Sequence, residues 1–448
     1  MVNKFLRNNK SFERIKGWFH DFAFRSLIKN SVYIFSGNIL SSIFLLISTG
    51  IKTRVLGIEK FGSLALVISF VALIEQLTAL RPWQALIKFG AEYIKENKYS
   101  EIAGIIKFSF AIDLVCGVIG LFISLLLTNF VGKWLGWSSD ILFFINLFSI
   151  SLLFNFSGTS IGILRLFNRF ELQALKEVLS GVLTLLGSIV VLWSGAGIYG
   201  FIIAALLMSI VINIAFLIMA LSVLQQNKLG YWWRQPISDW KPFLRFSSWA
   251  YLSSILDIPV QKLDIIIVST VISLEATGIY KIIKQVMNVL AMMANPIYQS
   301  IYPQFTSMIA NNEKKRSINY AARISSLLLF VVGVPIVLLT STSSLWMGIL
   351  FGREFSEGSS ELNIFLFISF FSLSLISIHP LFTALGYVKQ TTIITLISNF
   401  FYLVFAWFLG QKFGLFGVAI AYFAQICIVL LMKIFLISKS EILIKKQV

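Results

Sequence analysis

Seven polar or charged side chains fall at helical spacing inside two adjoining apolar runs. In the run 246–272, Asp257, Gln261 and Asp264 lie four and three positions apart, so a helix carries them on one face, with Lys262 one position off it. In the run 277–304, Lys281, Lys284 and Asn288 lie three and four apart, again on one face. An ionisable group inside an apolar span costs about 2.5–3.5 kcal/mol on insertion scales, so each needs a partner or water. The two stripes can neutralise each other and stiffen the packing, or line a wet cavity. Three lysines against two acids leave one positive charge over, and an anionic ligand would supply its partner. Lysine binds phosphate as a point charge.

Other candidates are sparser. Asn38, Ser41, Ser48 and Lys52 form a stripe at spacings of three, seven and four, with Arg54 just beyond. Such a stripe either hydrogen-bonds to a neighbouring helix, its basic ends snorkelling, or faces a cleft. Glu75 and Asp113 are carboxylates inside apolar runs. Gln76, Thr78 and Arg81 follow Glu75 closely enough to offer it an intrahelical partner. Asp113 can take and release a proton, as can Asp257, Asp264 and Glu75, or it can be held by hydrogen bonding to a backbone carbonyl. These four are the candidates for ion coupling. Catalytic chemistry is not expected: credible triads, paired catalytic carboxylates and Cys-His pairs are missing, and His379 stands alone before Pro380. Two histidines, with Cys116 and Cys427 both inside apolar runs, give neither a metal centre nor a disulfide framework. No Gly-rich phosphate loop ending in Lys-Ser/Thr is present, so ATP hydrolysis and a cofactor are not expected.

The elements that must position these residues are membrane helices. The chain is 57% hydrophobic and 13% charged, outside the range of soluble domains. A spanning helix needs about 20 mostly apolar residues. Twelve runs qualify: 31–53, 61–81, 102–130, 140–164, 172–194, 197–224, 246–272, 277–304, 320–342, 361–385, 390–410 and 414–438. They are continuous rather than alternating, which excludes a β-barrel. The first 30 residues carry seven Lys or Arg and no signal-peptide core; Phe12, Ile15, Phe19 and Phe22 at helical spacing predict an amphipathic surface helix. The net charge of +17 would suggest nucleic acid in a soluble protein. Here 28 Lys/Arg fall on one side and helix ends and six on the other (Lys52, Arg54, Lys60, Lys133, Arg353, Lys412), a positive-inside pattern with both termini cytoplasmic. Five prolines, Pro259, Pro296, Pro303, Pro335 and Pro380, mark later spans; Asn295-Pro296 is the best hinge candidate.

Two segments recur. Gly57-Ile58-Glu59-Lys60-Phe61-Gly62 returns as Ser273-Leu274-Glu275-Ala276-Thr277-Gly278, 216 positions later. Gly197-Ile198-Tyr199-Gly200 returns as Gly414-Leu415-Phe416-Gly417, 217 positions later. Two repeats in register predict two halves running in the same direction, with a ligand held between them. The expected organisation is a cytoplasmic segment 1–30, a six-helix bundle 31–224, a cytoplasmic linker 225–245 anchored by Trp232, Trp233 and Trp240, a second bundle 246–438 and a tail 439–448.

The opening run from Asn38 through Gly57-Ile58-Glu59-Lys60-Phe61-Gly62, its counterpart around Glu275 and Gly278, and Gly414-Leu415-Phe416-Gly417 resemble the O-antigen and polysaccharide flippases. These belong to the multidrug/oligosaccharidyl-lipid/polysaccharide exporter superfamily. The resemblance implies an all-α polytopic membrane protein whose two six-helix bundles form a V around a central cavity. It implies a bacterial inner-membrane carrier that moves undecaprenyl-diphosphate-linked oligosaccharides by alternating access. It further implies contact with membrane lipid, a glycan polymerase and a chain-length regulator. A basic cavity suits a diphosphate, and Lys52, Arg54, Lys262, Lys281, Lys284, Asn288 and Asn38 are where this sequence offers one. Cation-coupled multidrug exporters of the same superfamily, and integral-membrane glycan polymerases, are the alternatives. The short loops oppose a polymerase and the surplus lysines oppose a cation exporter.

Overall fold

The computed structural model describes residues 22–80, 82–237, 240–255, 262–311 and 313–445. Asp257, Pro259, Gln261, Arg81 and the predicted surface helix around Phe12, Ile15 and Phe19 lie outside these residues. Every regular element described is helical. In chain order they are α1 (Phe22–Thr78), α2 (Trp83–Lys95), α3 (Tyr99–Trp134), α4 (Ser139–Ser149), α5 (Ser157–Leu166), α6 (Phe170–Ser194), α7 (Gly197–Gln226), α8 (Trp240–Ile255), α9 (Asp264–Val271), α10 (Leu274–Ala310), α11 (Lys314–Ser341), α12 (Ser343–Phe351), α13 (Arg353–Ser356), α14 (Ser359–Ser374), α15 (Ile378–Ala384) and α16 (Val388–Lys445).

Among the described residues, eight helical stretches are long and apolar enough to cross a membrane. Two of them, Lys29–Thr78 and Val388–Ser438, have 50 and 51 residues, enough for two crossings each. Each changes direction at a glycine, Gly57 with φ 70° and Gly414 with φ 58°, a conformation that costs a residue with a Cβ. The remaining crossings are the α8–α9 run and α10, which completes the twelve. These carry the charged stripes, and α10, at 37 residues, is long enough but too polar to stand in lipid alone. α10 stays helical through Pro296 and Pro303.

The sequence repeat is also a repeat of backbone. The turn at Gly57 has its counterpart at Ser273, whose hydroxyl caps α10 by accepting from the Ala276 N–H at 3.1 Å. Two further crossings are broken at matching points: a 3₁₀ turn, Ile150–Phe154, separates α4 from α5, and a turn separates α14 from α15. Breaks at equivalent places in two repeats expose backbone only where it lines a cavity.

The repeated motifs pack on each other. A Cβ on Gly62 would sit 1.8 Å from the Leu274 carbonyl oxygen, and one on Gly278 would sit 2.7 Å from the Ile58 carbonyl oxygen. The two glycines therefore let α1 and α10 meet backbone to backbone. Residues 343–356 lengthen this contact. α12 lays Leu350 against Gly50, Arg54 donates to the Ile349 carbonyl, the Ile58 N–H donates to the Glu354 carboxylate, and Phe61 meets Phe355 edge to face at 5.9 Å. This seal lies at the Gly57 end of the molecule. At the other end, α8 packs on first-half helices, with Phe243 against Phe89 and Phe108 and Tyr251 donating to the Leu77 carbonyl.

Widening the glycine contact should therefore push the halves apart. Gly62→Val is expected to cost the sealed arrangement about 1–3 kcal/mol, the usual toll of overpacking. Spin labels at Lys133 and Glu357, one on each side of the seal, should move apart in double electron–electron resonance. An unchanged distance distribution would show that the glycines do not set the contact.

Candidate functional site

Asp264 opens α9 and is 1% exposed. Its Oδ2 accepts from Lys284 Nζ at 2.6 Å and from the Tyr280 hydroxyl at 2.7 Å, with the Tyr402 hydroxyl at 3.5 Å. Its Oδ1 accepts from the Ile265 N–H at 2.8 Å. Tyr280 and Lys284 stand four apart on α10, so one helical face delivers both. Tyr402 arrives from α16 and is fully buried. One carboxylate thus ties α9, α10 and α16 together. The acidic and basic stripes do pair, through Asp264 and Lys284.

Among the described residues, the Lys281 ammonium lies within electrostatic reach of Lys262, Lys284 and Lys52, and of the Asp264 carboxylate. Lys52 belongs to the first half and the other three lysines to the second. A hydrogen bond from Thr49 to Gln285, 3.0 Å, holds α1 and α10 in the register that brings Lys52 towards Lys281.

Lys262 stands between two cavities of about 350 Å³ each. The second-half cavity is walled by Asp264, Tyr280, Lys284, Asn288 and Tyr422, with Ser369 and Ser372 from α14. The first-half cavity is walled by Glu75, Gln76, Asp113, Asn155 and Ser157. The broken crossings reach both, as Asn155 and Ser157 flank the first break and Leu373 precedes the second.

The polar stripe of α1 divides. Ser48 shares a hydrogen bond with Ser188 of α6 at 2.7 Å, and Ser41 lies against Gly181, so these two hold a seam inside the first half. The neighbouring Ser42 and Thr49 are the ones that reach across to Met292 and Gln285. Asn38 is half-buried, on the same helix. Arg54 is not brought to the lysines, because its guanidinium is spent on the Ile349 carbonyl in the seal.

The first-half carboxylates have different partners from those the sequence offered. Glu75 accepts from the Asn155 amide at 2.8 Å, across the cavity rather than along its helix. Asp113 is 8% exposed, and its Oδ2 accepts from the Thr159 N–H at 2.8 Å. It bonds to an N–H where a carbonyl was one expectation, and it faces the N-terminal turn of α5, where a negative charge is stabilised.

Several participants escaped the sequence reading. Tyr280, Tyr402 and Asn155 look like ordinary membrane-helix residues until partners appear; only the four-residue spacing of Tyr280 from Lys284 was a signal. Lys433 is 1% exposed, and its Nζ sits 2.5 Å from His379 Nδ1, within hydrogen-bond distance. The Asp264–Lys284 pair yields a direct test. Asp264→Asn leaves the Lys284 ammonium facing a neutral amide, and breaking a buried pair this way costs about 3–5 kcal/mol. Thermal melts in detergent should show that loss, and Asp264→Asn combined with Lys284→Met should regain most of it. Equal melting of wild type and the single variant would show that the pair does not support the fold.

Comparison with known proteins agrees with this architecture. Residues 27–309 match the family model described as polysaccharide biosynthesis protein. The chain is 25% identical over 409 residues to the "Putative O-antigen transporter" of Shigella flexneri, covering 89% of this chain and 94% of that one. It is 28% identical over 176 residues to inner membrane protein YghQ of Escherichia coli K12, covering 39% of this chain and spanning only half (50%) of that relative's length. Among solved structures, an inward-facing multidrug resistance MATE family transporter superposes with a TM-score of 0.71 at 13% identity, covering 91% of this chain and 98% of that one. The lipid II flippase MurJ in an inward closed conformation superposes with a TM-score of 0.69 at 18% identity, covering 92% and 87%. The fold is the V-shaped twelve-helix arrangement of these transporters, and the chain belongs to the polysaccharide biosynthesis protein family.

Proposed function

We propose that this protein is a flippase of the bacterial inner membrane that carries undecaprenyl-diphosphate-linked oligosaccharide repeat units, for O-antigen or capsule assembly, from the inner to the outer leaflet. The observation that carries this reading is the lysine cluster. Lys281 lies within electrostatic reach of Lys52 from the other half and of Lys262 and Lys284 from its own, and Lys284 pairs with the buried Asp264. A diphosphate brings negative charge to Lys52 and Lys281, which make no ion pair among the described residues. Its binding would relieve repulsion among the lysines and lower the cost of drawing the halves together.

The positive-inside pattern puts the Trp232 end and both termini in the cytoplasm and the glycine seal on the far side. In that orientation the protein is closed outward. The diphosphate meets the lysines, with Asn288 and Asn38 as polar neighbours. The glycan occupies the two polar cavities, and the polyprenyl tail stays in lipid between the bundles 31–224 and 246–438, which are joined by the 225–245 linker. Opening of the seal then exposes the site outward. A proton or Na⁺ on Asp113, Glu75, Asp264 or Asp257 resets the carrier. Asp257 belongs to this set by sequence alone. Arg54, held in the seal, acts there as part of the gate. The chain carries its substrate without chemical change, and it hands it to a glycan polymerase and a chain-length regulator.

A second reading rests on the carboxylates Glu75 and Asp113 in the first-half cavity, which suit an organic cation. It makes the protein a cation-coupled multidrug exporter. The location of lipid-linked glycan in cells lacking the chain separates the readings. The flippase reading requires undecaprenyl-diphosphate oligosaccharide to accumulate on the inner leaflet while surface polymer vanishes. Unchanged surface glycan with increased sensitivity to cationic drugs supports the exporter. Single repeat units that cross but stay unpolymerised support a polymerase. Within the flippase, Lys281→Gln should lower transport about tenfold or more, the worth of one charge-assisted contact, while folded protein stays at wild-type abundance. Wild-type transport by this variant would remove Lys281 from the site.

A further inference from the structure

A second basic site lies far from the central cluster, at the Trp232 end. A cavity of about 770 Å³ opens where α10 gives way to α11, lined by Glu313, Lys315, Arg316, Asn319, Tyr320 and Arg323. Glu313 is already spent, because both its oxygens accept from Arg316 Nη1, at 3.1 and 2.9 Å. Lys315 and Arg323 face no carboxylate among the described residues. The wall is fixed to α10: the Tyr320 hydroxyl donates to Gln304 Oε1 at 2.6 Å, and its ring meets Phe305 edge to face at 6.0 Å.

The face of α11 that carries this cavity continues without a break into lipid-facing surface. Arg316, Asn319, Tyr320 and Arg323 are followed at helical spacing by Leu327, Phe330, Val334 and Val337. These four are 63%, 75%, 62% and 63% exposed. A basic pocket at a helix start, above an apolar stripe on the same face, matches a molecule with an anionic head and hydrocarbon tails.

We propose that this pocket holds the phosphate of an anionic membrane phospholipid, with the acyl chains lying along Leu327, Phe330 and Val334. Lys315 and Arg323 pair with the phosphate, and Asn319 donates from its amide. Lys and Arg near a membrane surface attract anionic lipid in this way. The site is independent of transport and of the central lysines, and it ties the cytoplasmic end of α11 to the lipid around it.

Native mass spectrometry of the full chain, released from detergent in the presence of phosphatidylglycerol or phosphatidylcholine, tests this. Wild type should retain phosphatidylglycerol and not phosphatidylcholine. Lys315→Gln and Arg323→Gln should each weaken retention about fivefold. Arg323→Lys should keep most of it, and Lys133→Gln, at the opposite end, all of it. All of these positions are exposed, so the variants are expected to fold. Equal retention of the two lipids, or full retention by the double Gln variant, would overturn the proposal. So would displacement of phosphatidylglycerol by soluble glycerol phosphate, which would make the pocket a free-phosphate site. Preferential retention of undecaprenyl diphosphate at this pocket would overturn it in favour of an isoprenoid diphosphate.

Discussion

A charge inside a bilayer must be paired or kept wet, and the arrangement of this protein follows from how it meets that demand. Asp264 is met by a lysine, two tyrosine hydroxyls and a backbone N–H, which pins three helices of the second half around it. Lys262 borders both polar cavities, and Lys281, which lines neither, lies within electrostatic reach of it and of Lys52. Desolvation favours placing charge where partners and water can meet it, and Lys262 and Lys284 line these cavities. The surrounding apolar helices complete the same logic, since they present hydrocarbon to lipid and turn the polar groups of α1, α9 and α10 inward, towards one another and towards α6 and α16.

The two halves answer different needs with the same backbone. In the first, Glu75 and Asp113 are held by Asn155 and by the start of α5, so negative charge faces a broken crossing. In the second, lysines face the other broken crossing. In the proposed cycle, the carboxylates of one cavity and the lysines of the other give a cation and an anion separate places to bind. Binding at either place changes the field felt at Lys262, which borders both. That shared residue is the physical link between cargo and coupling ion in the proposed cycle.

Much of the architecture was legible because lipid imposes a strict length and composition on each crossing. The twelve runs, the repeat at Gly57 and Ser273 and the facing stripes of spans seven and eight all follow from spacing. The pairing of Asp264 was legible as one of two outcomes, and Lys284 was among its candidates. What spacing does not carry is which of several neighbouring polar residues turns towards which helix. Ser41 and Ser48 face a seam while Ser42 and Thr49 face the opposite half, a rotation of roughly one residue, about 100° of helix. Arg54 was read as a cavity residue from its position, and the short helices at 343–356 capture it instead. Those helices fall between the predicted runs 320–342 and 361–385, and their partner surface is distant in sequence. Asn155 and Tyr402 were invisible for the same reason.

The glycine seal has a mechanical consequence. Gly62 and Gly278 bring the two backbones into direct contact, so this point of the seal can act as a fulcrum. α10 starts at this point and runs 37 residues, about 55 Å. A tilt of roughly 10° about the fulcrum swings its far end by about 10 Å while the glycines hardly move. The protein thus holds a long lever on a short pivot. A modest change in attraction near the pivot, where Lys281 and Lys284 sit, becomes a wide opening at the Ala310 end.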